Sequence, residues 1–277
     1  MGDDGLARSA LASAATALAA VSASPRLDAE LLMAHAMGVS RESLLLGQLD
    51  APAPPAFAAL LTRRLAHEPI AYITGARAFW TIDLAVGPGV LIPRPDSETL
   101  IEAAVAHFGA TGPGTILDLG TGPGSLLLAA LAEWPGATGL GVDQSDTALT
   151  MARANADRLG IGNRAAFAIG DWAAGIDQRF DLVLANPPYI ATAEQLPADV
   201  ARYEPHEALF AGADGLDDYR IIVPQLPRLL VPGGIAILEI GHSQAGAVTA
   251  LLRDAAMGAT LRHDLGGRPR AIIAACD

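Results

Sequence analysis

Phe180-Asp181-Leu182-Val183-Leu184-Ala185 is a nearly unbroken apolar run, and it stops at Asn186-Pro187-Pro188-Tyr189. A short apolar run ended by prolines reads as a buried strand that breaks off abruptly. Each proline fixes its own φ, lacks an N–H and holds the residue before it extended. The carbonyls of the segment are therefore rigid, and a sheet ladder cannot use them all. Beside them stand an amide side chain and an aromatic ring. The set suits acceptance of hydrogen bonds from a planar –NH2 group while a ring stacks on its π-face.

Three more strand ends upstream carry polar groups. Thr115-Ile116-Leu117-Asp118-Leu119 reads as a strand that runs into Gly120-Thr121-Gly122-Pro123-Gly124 and an apolar helix. Glycines at such a turn let a ligand approach the backbone, and the helix start offers free N–H groups. Pro123 suits the first helical position. Ser125 stands where a dinucleotide fingerprint has its third glycine, so the loop departs from that pattern. The next strand, 138–142, leads to Asp143, at the distance where an acid meets ribose hydroxyls. A third strand, 165–169, ends in Gly170-Asp171-Trp172, a polar residue and an aromatic that can bind and stack on an adenine ring. Glycine loop, Asp143, Trp172 and Asn-Pro-Pro-Tyr thus fall on one edge of a parallel sheet, where active sites of open α/β sheets lie.

The rest of the chain frames this sheet. Residues 8–66 read as helices with short breaks, one of them over 27–37 with Leu27, Leu31 and Ala34 on one face, and Ser40 as the N-cap of another. Residues 1–75 are expected to be a helical domain that recognises a partner. Residues 76–95 are expected to be a β-hairpin linker, with Phe79–Val86 going out, Gly87-Pro88-Gly89 turning and Val90-Leu91-Ile92 returning. Residues 96–277 form the main domain, with Asp96 as a cap for its first helix. Strands at 235–240, 260–263 and 271–275 complete the sheet. Tyr203, Glu204 and His206 are candidate rim residues, and Arg268 and Arg270 read as a solvated turn.

Composition excludes several function classes. The chain has 277 residues, a formal charge of −12, 18 arginines and no lysine. An acidic main domain lacks the electrostatic footprint of a phosphate-backbone binder and suits a cationic ligand or a basic protein partner. One cysteine, Cys276, excludes an intrachain disulfide and a cysteine-based zinc site, and no metal is expected. No apolar run reaches membrane-spanning length. A cytoplasmic protein without nucleic-acid or membrane partners is expected.

Taken together, the layout resembles a class I S-adenosylmethionine-dependent methyltransferase, an α/β Rossmann-like fold with a small N-terminal helical domain joined by a β-hairpin. More narrowly it is similar to the PrmC/HemK family, through Arg26-Leu-Asp-Ala-Glu-Leu-Leu32, Pro69-Ile-Ala-Tyr-Ile-Thr-Gly75, Val90-Leu-Ile-Pro-Arg-Pro95, the glycine loop, Asn186-Pro-Pro-Tyr-Ile190, Tyr203-Glu-Pro205 and Leu238-Glu-Ile-Gly241. The resemblance implies methylation of the glutamine side-chain amide in the Gly-Gly-Gln motif of peptide chain release factors, and so modulation of translation termination. It implies S-adenosyl-L-methionine as cofactor, held by residues 120–124, Asp143, Asp171, Trp172 and Asn186. It implies that Asn186, Pro187, Pro188 and Tyr189 hold the glutamine. Asp96-Ser97-Glu98 stands where the family usually has Glu-Thr-Glu, and Pro123 where it has Ser or Thr.

An amide nitrogen is a poor nucleophile, because its lone pair is delocalised. Asn186 Oδ1 and the Pro187 carbonyl are expected to accept one N–H each, and Tyr189 to stack on the amide plane. Positioning then carries most of the acceleration, and no strong base is required. The rival substrates are glutamine of a ribosomal protein and the exocyclic amine of adenine or guanine. A binding module without turnover is the non-enzyme alternative.

Overall fold

The computed structural model describes residues 5–276. The chain divides into two compact units, one holding the chain up to Ala76 with Leu196–Tyr203, the other Arg77–Gln195 with Glu204 onward.

The first unit is helical: α1 (Ala7–Leu18), α2 (Pro25–Met37), α3 (Arg41–Ser43) widening into a π-turn over Leu44–Gln48, α4 (Ala56–Leu65) and α5 (Ile70–Thr74). Ser40 caps α3 as expected, its Oγ accepting the Ser43 N–H at 3.1 Å. Leu11, Leu18, Leu32, Met33, Leu44 and Phe57 form the core. The inward face of α2 differs from the expected stripe: Leu27 is exposed and Leu31 only half-buried, whereas Ala29, Leu32, Met33 and Ala34 are buried. The helix is turned because Asp28 and Glu30 go inward too. Arg64 Nε donates to Asp28 at 2.8 Å, and Arg26 and Arg41 donate to the two oxygens of Glu30 at 2.6 and 2.8 Å. Buried carboxylates persist only when paired in this way.

The second unit opens with β1 (Ala76–Phe79) and β2 (Ile82–Ala85), paired as a two-stranded sheet through a tight turn at Trp80-Thr81. The expected return strand over Val90–Ile92 is absent. Val90 N–H closes a turn on Gly87, Ile92 N–H goes to the Glu204 carboxylate and Pro93 has no N–H, which leaves this segment no ladder. Helix α6 (Glu98–Phe108) follows, without a side-chain cap from Asp96, which instead pairs with Arg270 at 3.0 Å.

Strands β3 (Thr115–Leu119), β4 (Thr138–Asp143), β5 (Ala165–Ile169) and β6 (Phe180–Ala185) alternate with α7 (Ser125–Glu133) and α8 (Asp146–Arg158). After β6 the chain contributes α9 (Ala198–Tyr203) to the first unit. It then forms α10 (Asp217–Ile222), α11 (Leu226–Leu229), β7 (Leu230–Glu239), α12 (Ala245–Asp254), β8 (Met257–His263) and β9 (Pro269–Cys276).

The main sheet runs β5-β4-β3-β6-β7-β9-β8. Strands β3 to β7 are parallel, and β8–β9 is an antiparallel hairpin along β7. Leu117, Leu119, Leu182, Val183 and Leu184 are inaccessible to solvent, as expected for parallel strands covered on both faces. The chain steps from β3 outward to β4 and β5, then returns to β6 on β3's other side. That reversal opens a crevice at the carboxyl ends of β3 and β6. No helix among the described residues is long and apolar enough to cross a membrane.

Candidate active site

A cavity of about 220 Å³ lies at these strand ends, walled by Gly120, Thr121, Gly122, Pro123, Asp143, Asp171, Trp172, Asn186 and Pro188 among others. Nine of the singled-out residues are thereby brought together. Gly124, Pro187 and Tyr189 are not part of the wall.

The glycine loop folds over the end of β4. The N–H groups of Gly120 and Thr121 donate to the Val142 carbonyl at 2.9 and 3.0 Å, and Gly122 N–H donates to Asp143 Oδ2 at 2.8 Å. Gly122 has φ +56°, and a Cβ there would meet nothing within 4 Å. Gly124 does a different job as the residue before α7. With φ +88°, its Cα faces Leu128, and an added Cβ would come within 2.8 Å of that side chain. It is a packing glycine.

Asp118 on β3 is the group that periodicity concealed. It is fully buried, Thr121 Oγ1 donates to its Oδ2 at 2.6 Å, and Leu127 N–H donates to the same oxygen at 3.2 Å. Its Oδ1 has no partner, and Asp118 lines the cavity. Burial lifts this carboxyl to about 7, against the pull of the Thr121 and Leu127 bonds. An acid in an otherwise apolar strand was the available signal.

Asp143 holds backbone on both sides, accepting Gly122 N–H and, at its Oδ1, the Ser145 N–H at 2.9 Å. Each oxygen keeps a further lone pair for a ligand. Trp172 lies at φ +48°, a conformation that costs a bulky residue about 1–3 kcal/mol. Its ring bears on Gly120, where a Cβ would sit 3.0 Å from it. Trp172 is also hydrogen-bonded to Asp218, whose carboxyl burial pushes above its usual range.

Asn155, which α8 periodicity places among inward alanines, fastens the hairpin to the glycine loop. Its Nδ2 donates to the Pro123 carbonyl at 2.9 Å and the Ala85 carbonyl at 3.0 Å, and its Oδ1 accepts Ala85 N–H at 2.7 Å. The backbone at Pro123 is therefore held although the residue has no hydroxyl.

At the end of β6, Asn186 Nδ2 donates to Ser97 Oγ at 3.2 Å. Tyr189 hydroxyl donates to Glu239 Oε1 at 3.3 Å, and its carbonyl accepts Gln244 Nε2 at 2.9 Å. Burial, with the Glu239 charge beside it, raises the Tyr189 hydroxyl. Burial likewise lifts the Glu239 carboxyl to about 7, opposed by Ser97 and Arg270. Arg270 is almost wholly buried and paired with Asp96, so the expected solvated turn holds only for Arg268.

Glu204, a rim candidate, is an internal clasp: it accepts Ile92 N–H at 3.0 Å and the Arg94 guanidinium. Tyr203 belongs to the first unit, its hydroxyl donating to the Ala66 carbonyl at 3.0 Å. Pro205, Glu207 and Ala208 are the residues of this segment that reach the cavity. Among the described residues no group of histidine, cysteine and carboxylate side chains is placed to hold a metal.

The cavity thus joins a buried carboxylate with a free oxygen, a second acid one strand on, an aromatic wall and a rigid amide. It suits a cationic, nucleoside-like ligand next to a planar polar group. The comparisons with known proteins agree. A methyltransferase domain family matches residues 112–257, and the PrmC N-terminal domain family matches residues 9–75. The fold is shared with a ribosomal protein L11 methylase from Lactobacillus delbrueckii subsp. bulgaricus, at TM-score 0.51 and 24% identity over 66% of this chain and 80% of that one. The chain is an α/β methyltransferase of class I, the Rossmann-like architecture anticipated above.

The relatives narrow the class. A release factor glutamine methyltransferase from Rhodospirillum rubrum is 46% identical over 90% of this chain and 78% of that protein. One from Caulobacter vibrioides is 43% identical over 85% and 83%. The chain belongs to the release factor glutamine methyltransferase family.

Proposed function

We propose that this protein transfers a methyl group from S-adenosylmethionine to the side-chain amide nitrogen of the glutamine in the Gly-Gly-Gln motif of peptide chain release factors. Family membership supports the reading. The observation that carries it is the standing of Asn186 and Pro188 in the wall of the cavity that also holds Asp118 and Asp143.

The residues fit the cofactor. Asp118 Oδ1, buried and unpartnered, is an acceptor suited to an ammonium group, and a cation there favours the ionised carboxylate. Asp143 has lone pairs to spare for ribose hydroxyls, and Trp172 offers a flat apolar face. When bound, S-adenosylmethionine supplies a methyl group activated by the sulfonium charge. The chain's own part is orientation. Asn186 Oδ1 and the Pro187 carbonyl each accept one N–H of the substrate amide, which turns the nitrogen and favours the positive charge that develops on it. The strand end and the two prolines keep both acceptors fixed, so little reorganisation remains. Pro187 and Pro188 bring no N–H to this segment, so its carbonyls outnumber the backbone donors within it. Tyr189, anchored by Glu239 and Gln244, stacks on the amide plane. The proton leaves after transfer, when the nitrogen has become acidic.

Mass spectrometry of a release factor incubated with the protein and S-adenosylmethionine tests this. One methyl group on the Gly-Gly-Gln glutamine, absent with Asn186→Ala, is expected. A methyl group found only on a ribosomal protein would overturn the substrate and keep the chemistry.

A further inference from the structure

We propose that Gln244 is a positioning residue that fixes the far end of the Asn-Pro-Pro-Tyr segment and thereby sets where its amide acceptors stand. Its effect on turnover rests on the reading above, in which Asn186 and Pro187 accept the substrate amide.

The segment leaves the sheet at Ala185, which is paired with Leu119 of β3 on one side and Leu238 of β7 on the other. Beyond that point come two prolines, and neither has an N–H with which to hold the chain. Their rings fix φ but not the place where the segment ends. A small change of direction at Ala185 would move Pro188, which stands in the cavity wall. The far end must therefore be held from outside, through a carbonyl.

Gln244 holds it. The residue lies just before α12, and its Nε2 donates to the Tyr189 carbonyl at 2.9 Å and to the Gly215 carbonyl at 3.0 Å. Its Oε1 accepts the Gly241 N–H at 3.0 Å. A primary amide has two protons, here one for each carbonyl. Turned over, it would set its oxygen against both carbonyls and its nitrogen against an N–H, so only one orientation bonds. One side chain thus ties the exit of β6 to the exit of β7 and to the turn before α10. The next residue, Ile190, exchanges hydrogen bonds with Leu209 and Ala211, both at 3.0 Å, which fastens it to a loop. Gln244 ties the segment back to the sheet.

Two glycines make room for this clamp. Gly215 has φ +73°, and a Cβ there would lie 2.3 Å from the Tyr189 carbonyl oxygen and 2.8 Å from Gln244 Nε2. A Cβ on Gly241 would lie 2.9 Å from Gln244 Oε1 and 3.4 Å from Tyr189 Cδ2. A side chain at either position would push the amide or the tyrosine aside. Closing the turn into α12 needs only the Gly241 bond. The two bonds to carbonyls, and the close approach at Gly215, serve Tyr189.

The experiment measures kcat and both KM values for Gln244→Glu and Gln244→Met on a full-length release factor, at a temperature where circular dichroism shows each variant folded. Gln244→Glu separates the two roles. It keeps the length and still accepts the Gly241 N–H, but when ionised it has no proton for Tyr189 or Gly215. It is expected to lower kcat by about 10- to 100-fold, as for a misplaced reacting group. The KM for S-adenosylmethionine should stay within about twofold, since the glycine loop and Asp143 are untouched. Gln244→Met keeps the length without the amide and should lose about as much kcat. Should Gln244→Glu fail to fold, Gln244→Met decides. Wild-type kcat in either folded variant would overturn the inference, and so would a KM for S-adenosylmethionine that rises in step with the loss of kcat. If the wild type leaves the release factor unmodified, the functional reading fails separately. The clamp is then read by hydrogen exchange at the Ile190 N–H, next to the clamped carbonyl. Exchange should be about 10-fold faster in Gln244→Met than in wild type, and equal exchange would overturn the inference.

Discussion

Replacing Asp118 by Asn should stabilise the ligand-free protein, and by an amount that grows with pH. In the folded chain this carboxyl keeps its proton up to about 7, whereas in the unfolded chain it releases it near 3.8. Between those values the folded state binds more protons, so the Asp118 contribution to stability falls as pH rises from about 4 to about 7 and is level above. The full loss is roughly 4 kcal/mol above pH 7 and about 2 kcal/mol at pH 5, with each unit of pKa worth about 1.4 kcal/mol. Asparagine has the shape of the protonated acid, can still accept from Thr121 and Leu127, and does not titrate. Whatever constant cost the exchange carries cancels when two pH values are compared. The advantage of Asp118→Asn over wild type should therefore widen by about 2–3 kcal/mol between pH 5 and pH 8, or about 4–10 °C in melting temperature for a unit of this size. Differential scanning calorimetry of both proteins across that range is the assay. Melting curves that stay parallel from pH 5 to pH 8 would refute a buried, protonated Asp118. With saturating S-adenosylmethionine the order should reverse, because the variant has no charge to offer an ammonium group.

Three further outcomes are expected. Asn186→Ala should lower kcat on a release factor by about 100-fold or more while calorimetric affinity for S-adenosylmethionine stays within about threefold, as for a group that acts in the transition state. Asn155→Ala leaves the Ala85 N–H and the Pro123 carbonyl without their partner, so about 2–4 kcal/mol of stability should be lost, visible in urea unfolding, and the KM for S-adenosylmethionine should rise. Arg64→Ala strands the buried Asp28 carboxylate, and about 3–5 kcal/mol should disappear from the helical unit, detected as early loss of amide protection in α2 and α4.

Much of the architecture was legible because apolar runs and turn residues report it directly. The strands at 115–119 and 180–185 have the bounds that their hydrophobic runs suggest, since parallel strands buried on both faces permit little else, and the edge strand 165–169 has its expected bounds although it is largely exposed. Ser40 announced its cap by type and position. The misreadings share a cause: polar groups whose partners are distant in sequence. Asp96 looks like a helix cap until Arg270, on the last strand, is seen beside it. Val90–Ile92 has the composition of a strand, but Glu204, more than a hundred residues on, takes the Ile92 N–H. Leu27 looks inward-facing until Arg64 draws Asp28 to the interior and rotates the helix. Within the site, residues at strand ends were readable from their place in the pattern. Asp118, Asn155 and Glu239 were not, because each sits among apolar neighbours and acts through a contact that no local rule encodes.

The contribution of Leu196–Tyr203 to the helical unit has a consequence for dividing the molecule. The border between the units does not coincide with any single cut in the chain. A fragment beginning at Arg77 would keep this segment while losing the helices it folds with, and Tyr203 would lose its acceptor on Ala66. A fragment ending at Ala76 would lack α9. The next residue, Glu204, clasps Ile92 and Arg94, so damage at the segment would act directly on the loop that leads to Ser97. Exchange of the helical unit between relatives should therefore succeed only when residues 196–203 travel with it.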